Sequence, residues 1–305
     1  MSAENSGRLP EKAAIIANPV AGGGRGKKHA EQVKWYLEKE DVEAEIIWTN
    51  RSGEATGIAQ EQMAKGVHLI GGCGGDGTLN EVANALADTD AIMGVLPGGR
   101  GNDLVRALDI PRHPIQAADI FLHGHCRTID LARVGDRYFN TIATLGFDAE
   151  VCRTVMENRM PFSGPATYFY AVMKTLVDFR APMVRLSGDF GVYEGKIFLA
   201  ATCNSSMYGG GMKIAPPARI DDGILHVCVI EEISRLMVLR LLRLVYFGEH
   251  VRHPAVKIFP TRSLKIETPD EAWIFADGEF MTKTPATIEI AESTLKVMAP
   301  LELGQ

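Results

Sequence analysis

The stretch GGCGGDGTLNEVANAL, residues 71–86, decides the fold class of the N-terminal half. It follows the apolar run VHLI (67–70), which predicts a buried strand, and it continues into a helical pattern of apolar residues. A glycine-rich turn from a strand into a helix exposes backbone N–H groups at the positive end of the helix dipole, where phosphate binds well. We therefore expect an α/β sheet with a phosphate site at this turn.

Strand and helix patterns alternate on both sides of this turn. Short apolar runs predict strands at 13–18, 42–49, 67–72 and 91–97. Amphipathic patterns predict helices near 26–40, 54–66, 78–88 and 102–123. Alternation of this kind predicts a three-layer α/β domain, with a mostly parallel sheet covered by helices on both faces.

The pattern changes after about residue 132. Many short strand patterns separated by turn residues follow, at 136–146, 182–190, 192–204, 224–230, 255–260, 263–268 and 284–291. Helical patterns interrupt them at 147–158, 164–179 and 232–248. This half is predicted to be an antiparallel, β-sandwich-like domain.

Composition excludes several classes of function. The 305 residues carry a net charge of −6, which gives no electrostatic reason to expect nucleic acid as a partner. The five cysteines are well separated and form no C-x-x-C pair, so a reducing compartment fits them best. No apolar run reaches the ~18 residues that a membrane-spanning helix needs, so any membrane contact is expected at the surface.

Residues 72–77 satisfy the pattern G-x-G-x-x-G, which is typical of dinucleotide-binding loops. Such a fold requires an acidic residue at the end of the next strand, yet the strand AIMGVLP ends in the glycine-rich run 97–103. Asp76 also lies inside the loop, where a bare carboxylate repels pyrophosphate unless a divalent cation lies between them. The loop is therefore predicted to hold a phosphate–magnesium assembly.

Four motifs in order resemble those of the diacylglycerol kinase/sphingosine kinase superfamily, particularly its soluble bacterial lipid kinases. They are NPVAG (18–22), GGDGTLNEV (74–82), the stretch from Pro97 to Arg106, and DGE (277–279). Two positions depart from the family pattern, because Ala21 replaces a serine and Arg100 replaces a threonine. We interpret Arg100 as a phosphate clamp, and the alternative is that it partly blocks the nucleotide site.

The resemblance implies roles for individual residues. ATP contacts are expected at Asn18, Pro19, Ala21, Gly22, Thr49, Gly75, Asp76, Gly77, Thr78, Asn80, Glu81, Arg100, Asn102 and Asp103. The expected general base is Asp277, which would take the proton from the lipid hydroxyl. An acidic, water-linked Mg²⁺ network is expected from Asp76, Asp103, Asp130 and Glu279, with Asp76 and Glu279 counted among the catalytic residues. A structural cation is expected at Asp222, with carbonyl oxygens from Arg219 and Ile224.

The same resemblance implies an ATP- and Mg²⁺-dependent lipid kinase that phosphorylates the primary hydroxyl of diacylglycerol to give phosphatidic acid, within phospholipid biosynthesis. Residues 1–131 are expected to form the ATP-binding catalytic domain, completed by a returning segment at 293–305, with 132–292 as the lipid-substrate domain. The expected setting is the cytoplasm, with transient peripheral contact at the inner face of a membrane that presents the lipid. A homodimer is also implied.

Two other functions stay open from the sequence. A NAD kinase-like enzyme shares the GGDGT motif, but Asn80, Glu81 and the stretch from Pro97 to Asp103 favour a lipid kinase. A non-catalytic nucleotide- or lipid-binding regulator is the second alternative, and Asp277 argues against it.

Two segments are candidates for lipid or membrane contact. The aromatic- and methionine-rich segment 160–173 could line an acyl pocket or belong to the core. The segment from Ile233 to Phe247, interrupted by Arg235, Arg240 and Arg243, fits a buried amphipathic helix somewhat better than a helix on a membrane surface.

Overall fold

The computed structural model describes residues 10–157 and 165–301. Residues 160–164 of the segment proposed for an acyl pocket therefore lie outside the described residues. The chain forms two compact units. The first runs as far as Ile129 and resumes at Leu295, and the second runs from Asp130 to Thr294.

The first unit is built on a sheet of parallel strands. Its strands are β1 (Lys12–Ala17), β2 (Glu43–Trp48), β3 (Leu69–Gly74), β4 (Ile92–Pro97) and the end of β15 (Ala286–Ala299). Their spatial order is β15, β4, β3, β1, β2, and every pairing is parallel. All six residues of β3 are buried, as expected for a strand covered on both faces.

The helices of this unit within the described residues are α1 (Ala21–Lys39), α2 (Glu54–Ala64), α3 (Asp76–Leu86), α4 (Asp103–Ala107) and α5 (Pro114–His123). Helix α1 packs against α5, and α2 packs against α3. The prediction of one helical region over 102–123 is wrong, because two separate helices occupy it. Pro111 lies between them, lacks an N–H and disfavours helix in the residue before it.

The order of the strands locates the binding edge of this sheet. From β1 the chain moves outward to β2 and then returns to β3 on the opposite side of β1. Ligands of open α/β sheets bind beyond the carboxyl ends of the strands at such a reversal. The loops after β1 and β3 therefore flank the expected site, and the loop after β4 is their neighbour.

The second unit is antiparallel. Its strands are β5 (His125–Val134), which begins in the first unit, β6 (Arg137–Phe139), β7 (Ile142–Gly146), β8 (Met183–Gly188), β9 (Gly191–Cys203), β10 (Leu225–Glu231), β11 (Val256–Thr261), β12 (Ser263–Glu267), β13 (Trp273–Ala276), β14 (Glu279–Lys283) and most of β15. The long strand β9 pairs with β8 through its first half and with β7 and β10 through its second. Leu186, Ile197, Val227 and Leu264 share one buried cluster. The predicted fold class, α/β followed by a sandwich-like β domain, is confirmed.

In the described part of this unit the α-helices are α6 (Phe147–Glu157), α7 (Pro165–Asp178) and α8 (Arg235–Val245), with a 3₁₀ turn at Glu249–Arg252. They enclose a second buried cluster in which the rings of Phe147 and Phe198 stack with their centroids 4.6 Å apart. Helix α8 contributes Val238, Leu241 and Val245 to this cluster, so one face of the helix is core. Within the described residues, no helix has the length and hydropathy required to cross a membrane.

Candidate active site

Three glycine-rich loops meet at the carboxyl ends of β1, β3 and β4. A Cβ atom on Gly98 would lie 2.8 Å from the backbone nitrogen of Gly74, and one on Gly99 would lie 2.5 Å from the Cα of Gly75. A Cβ on Gly22 would lie 2.5 Å from the carbonyl oxygen of Gly98. Real Cβ contacts are longer than this, so the three loops approach so closely only because these residues are glycine.

The first loop turns through three consecutive left-handed residues at the start of α1. Gly22, Gly23 and Gly24 have φ angles of 61°, 77° and 91°, which residues with a Cβ rarely adopt. The side chain of Asn18 accepts a hydrogen bond from the N–H of Val20 at 3.1 Å, which fixes the beginning of the turn. Regular helix follows only after the glycines.

Asp76 links the second loop to the third. Its Oδ2 accepts a hydrogen bond from the N–H of Asn102 at 3.1 Å, and its Oδ1 accepts one from the N–H of Asp103 at 2.6 Å. These N–H groups stand at the start of α4, where a carboxylate is favourable. Asp76 therefore orients the loop 97–103, a role that the sequence did not reveal, and its role toward Mg²⁺ stays a prediction.

Glu81, in α3, holds the start of α2. Its carboxylate accepts hydrogen bonds from the N–H groups of Gly53 at 2.8 Å and Ala55 at 2.9 Å, at the start of α2. Asn80 is buried, and its side-chain oxygen accepts a hydrogen bond from the side-chain amide of Asn84 at 3.0 Å. Both residues were predicted to contact ATP, and both have a structural role in the first unit.

A cavity of about 270 Å³ opens between these loops. Its walls are formed by Asn18, Ala21, Gly22, Thr49, Arg51, Ser52, Gly75, Gly77, Thr78, Glu81, Gly99 and Arg100. Arg51 and Arg100 bring positive charge to a cavity bordered by the N-terminus of α3, an arrangement that suits anionic phosphates.

Nine of the predicted ATP contacts form these walls, whereas Pro19, Asp76, Asn80, Asn102 and Asp103 do not. Asn102 is buried with a φ of 53°, and its side chain bonds both the N–H and the C=O of Gly99 at 3.0 Å. Sequence analysis missed Arg51, Ser52 and Gly99 as cavity residues. The signal was available, since Arg51 and Ser52 follow β2 and Gly99 follows β4, both at the binding edge.

Asp277 lies in the second unit, at the hairpin turn from β13 to β14. Asp277 and Gly278 both have positive φ angles, 49° and 82°, as a type I′ turn requires. The Oδ1 of Asp277 accepts hydrogen bonds from the N–H and hydroxyl of Thr141 and from the N–H of Ile142, while its Oδ2 accepts one from the N–H of Asn140 at 2.7 Å. The carboxylate is therefore held in one orientation.

The remaining predicted metal ligands of the second unit form polar contacts of their own. The side chain of Glu279 accepts a hydrogen bond from Arg137 at 2.9 Å. Burial raises the pKa of Asp130, the nearby carboxylates of Asp222 and Asp221 raise it further, and a hydrogen bond from the N–H of Gly223 lowers it.

The structural-cation segment is held by local contacts as well. The Oδ1 of Asp222 accepts a hydrogen bond from the N–H of Ile224 at 3.1 Å, and Arg219 lies 3.6 Å from a carboxylate oxygen of Asp221. Residues 10–157 and 165–301 contain no group of three or more histidine, cysteine or acidic side chains arranged to hold a metal ion. Both predicted metal sites therefore stay predictions.

Comparison with known families decides what these loops belong to. Residues 12–134 match the family described as "Diacylglycerol kinase catalytic domain", and residues 141–299 match "YegS C-terminal NAD kinase beta sandwich-like domain". The chain belongs to the diacylglycerol kinase-like lipid kinases. The family and the enzyme class predicted from the four motifs are thereby confirmed.

Individual relatives resemble this lipid kinase over nearly its whole length. Proteins named "Diacylglycerol kinase" from Staphylococcus carnosus (strain TM300) and Staphylococcus aureus (strain MRSA252) are each 29% identical to it over 297 residues. These alignments cover 97% of the chain and 97% and 94% of the relatives, respectively.

Solved structures show the same architecture. One described as "a diacylglycerol kinases from Bacillus anthracis str. Sterne" superimposes with a TM-score of 0.78 at 26% identity and covers 97% of this lipid kinase and 99% of that chain. A second structure from the same organism has a TM-score of 0.80 at 24% identity, with the same coverage, and supports the fold alone.

Proposed function

We propose that this lipid kinase transfers the γ-phosphate of ATP to the primary hydroxyl of a lipid, with diacylglycerol as the acceptor and phosphatidic acid as the product. The observation that carries the proposal is the cavity at the carboxyl ends of β1, β3 and β4, with its glycine walls and its two arginines. The names of the Staphylococcus relatives support the choice of acceptor. Such a reaction belongs to phospholipid biosynthesis.

The residues around the cavity suit the phosphates of ATP. The volume of about 270 Å³ is close to the lower end of the ~300–1,000 Å³ range of ligand pockets. Backbone N–H groups at glycine positions and at the start of α3 can donate to phosphate oxygens without a side chain in the way. Arg51 and Arg100 neutralise charge, so we propose Arg100 as a phosphate clamp in place of the family's threonine.

The chemistry of the donor set also fits Mg²⁺. Carboxylate oxygens are the ligands that Mg²⁺ prefers, and a carboxylate oxygen can accept more than one partner. We propose Asp76 and Asp103 as its ligands on the first unit. Bound there, the ion would supply charge neutralisation of the transferring phosphoryl group.

We propose Asp277 as the general base. Its hydrogen bonds to Asn140 and Thr141 fix the carboxylate, and a base must be held within hydrogen-bond reach of the proton that it accepts. The proton of the lipid hydroxyl would pass to a carboxylate oxygen of Asp277 as the hydroxyl oxygen attacks the γ-phosphorus and the bond from that phosphorus to ADP breaks. We further propose a cytoplasmic enzyme that contacts the inner face of the membrane transiently, and a homodimer.

The test is lipid-dependent release of ADP by purified protein with ATP, Mg²⁺ and diacylglycerol in mixed micelles. Parallel reactions contain phosphatidylglycerol, ceramide or sphingosine, and one contains NAD, which tests the NAD kinase-like alternative. If no lipid stimulates ADP release, the proposal is wrong.

Asp277→Asn should abolish turnover and leave ATP binding intact. The matched control is Asp189→Asn in the same unit, because the carboxylate of Asp189 also accepts a backbone hydrogen bond, from the N–H of Arg262 at 2.7 Å. We expect both variants to lose some thermal stability and only Asp277→Asn to lose activity. Equal activity in the two variants would assign Asp277 a structural role.

A further inference from the structure

Asn204 lies in the second unit, beside the residues that hold Asp277. Strand β7 lies between β13 and β9 in the sheet. The last residue of β13 pairs with Ala143, and the last residue of β9 pairs with Ile142. Asp277 and Asn204 directly follow these two strand ends, so they flank the start of β7 from opposite sides.

The side-chain amide of Asn204 bridges two carbonyl groups. Its Nδ2 donates hydrogen bonds to the carbonyl oxygens of Asn140 at 2.9 Å and Asp130 at 3.0 Å. The C=O of Asn140 and the N–H of Thr141 belong to one planar peptide unit, so fixing the first orients the second. That N–H donates a hydrogen bond to the Oδ1 of Asp277 at 3.1 Å. One side-chain contact of Asn204 therefore controls a hydrogen bond to the carboxylate.

The backbone after β9 holds the next peptide unit in the same way. The N–H groups of Asn204 and Ser205 donate hydrogen bonds to the carbonyl oxygen of Thr141 at 2.8 and 3.2 Å. That carbonyl group shares a planar peptide unit with the N–H of Ile142, which donates to the Oδ1 of Asp277 at 3.3 Å. Two successive peptide units are thus fixed through their carbonyl groups and bind the carboxylate through their N–H groups.

The amide of Asn204 is buried with the residues that it holds. Asn204, Asn140 and Thr141 are 0%, 2% and 3% exposed, and low polarity around a hydrogen bond strengthens it. An amide turned the other way would set Oδ1 against two carbonyl oxygens, so Nδ2 faces them. Within residues 10–157 and 165–301, that Oδ1 accepts no hydrogen bond, which is unfavourable for a buried oxygen. The contribution of the amide therefore comes from its nitrogen.

We infer that Asn204 is a positioning residue for Asp277. By holding the carbonyl group of Asn140, it directs the N–H of Thr141 at the carboxylate and keeps that carboxylate in one orientation. The inference rests on the proposed function, in which the carboxylate accepts the proton of the lipid hydroxyl. It extends that function by naming a fully buried residue that acts on the base from behind the strand ends.

Hydrogen exchange followed by NMR tests the positioning without any catalytic readout. In Asn204→Ala the amides of residues 141 and 142 should exchange roughly tenfold faster than in the wild type, because the first peptide unit has lost its support. The matched control is Thr261→Val on β11. Thr261 is 1% exposed and its hydroxyl donates to the carbonyl oxygen of Ser263 at 2.6 Å, so this variant also removes a buried hydrogen bond to the backbone. Exchange at 141 and 142 should not change in the control.

Steady-state kinetics separates positioning of the base from general destabilisation. With ATP, Mg²⁺ and diacylglycerol in mixed micelles, Asn204→Ala should lower kcat about a hundredfold, the effect of misplacing a reacting group by about 1 Å. The KM values for ATP and lipid should stay within about twofold, because the base acts in the transition state. Asn204→Ser keeps a donor for one of the two carbonyl oxygens, so its kcat should lie between those of Asn204→Ala and the wild type. Thr261→Val should retain the kcat of the wild type, and thermal melts verify that every variant is folded at the assay temperature.

The outcomes keep a failure of positioning separate from a failure of the proposed function. The inference is wrong if the folded Asn204 variants retain the kcat of the wild type, or if the amides of residues 141 and 142 stay protected in them. It is also wrong if Thr261→Val loses as much activity, because general destabilisation would then explain both results. If Asn204→Ala does not fold, Asn204→Ser decides by the same two measurements. A wild type without lipid-dependent turnover overturns the proposed function instead, and the exchange rates then decide whether Asn204 orients the carboxylate of Asp277.

Discussion

Replacement of Gly101 by alanine should destabilise the first unit through Asp76. A Cβ atom at position 101 would lie 2.3 Å from the Oδ2 of Asp76, well inside the distance of real Cβ contacts. The carboxylate must move, and it then loses hydrogen bonds to the N–H groups of Asn102 and Asp103. A hydrogen bond to a charged group contributes about 1.5–3 kcal/mol, so we expect the loss of both bonds to cost about 3–6 kcal/mol.

Urea unfolding followed by circular dichroism measures the loss. Hydrogen exchange shows where the structure is destabilised, because the amides of residues 102 and 103 should exchange roughly thirtyfold faster for each 2 kcal/mol lost. The control is Gly57→Ala in the exposed interior of α2, where a Cβ meets no atom within 4 Å and should stabilise by about 0.5–1 kcal/mol.

A double-mutant cycle tests the proposed cause. In an Asp76→Asn background the bonds to α4 are already weakened, so Gly101→Ala should cost about 1–2 kcal/mol less than in the wild type. Strictly additive effects would refute the reasoning, because the two changes would then act independently.

Three further changes test other contacts. Arg100→Ala should weaken ATP binding about tenfold to a hundredfold in calorimetry, because a hydrogen bond to a charged group contributes this much to affinity. Tighter binding by the variant would show that Arg100 obstructs the site. Glu81→Gln should lower stability by about 1–2 kcal/mol in thermal unfolding, since an amide satisfies only one of the two N–H groups at the start of α2; an unchanged melt would contradict this. The hydrogen bond from the Tyr36 hydroxyl is the largest cause that lowers the pKa of Asp119 in the folded protein. The ionised Asp119 therefore stabilises the fold above pH 3.8, and this stabilisation is lost as the pH falls through the lower pKa of the folded state. Tyr36→Phe should therefore lose less stability on acidification, and an identical acid limb in the two pH profiles would disprove the coupling.

Much of the first unit was predictable because its signals are local. A strand, a glycine turn and a helix follow one another within a short stretch of sequence, and the strand and the helix each have a characteristic spacing of apolar residues. Nine predicted ATP contacts form the cavity walls because they lie in the turns after strands or in the helices that these turns begin, where the topology of a parallel sheet brings them together.

The missed features depend on contacts between distant parts of the chain. Asp76 accepts a hydrogen bond from Asn102, and Glu81 accepts one from Gly53. The motif GGDGTLNEV, which resembles a ligand-binding signature, therefore also holds neighbouring loops in place. Hydrophobic periodicity contains no information about such pairings. The ten-residue strand β5 and the five-residue strand β14 were not among the predicted strands, since β14 is only partly buried throughout and β5 is irregular in burial, so neither shows a clean alternation.

The last strand has a consequence for synthesis of the protein. The end of β15 pairs with β4 at Val297 and Met93, and Leu295, Val297 and Ala299 are all buried. A ribosome exposes β1 to β4 long before it releases this strand, so β4 emerges with an unpaired and apolar edge. The first unit therefore cannot complete its sheet until the end of β15 has left the ribosome. A chain truncated before Leu295 should therefore aggregate, even though every glycine loop is present.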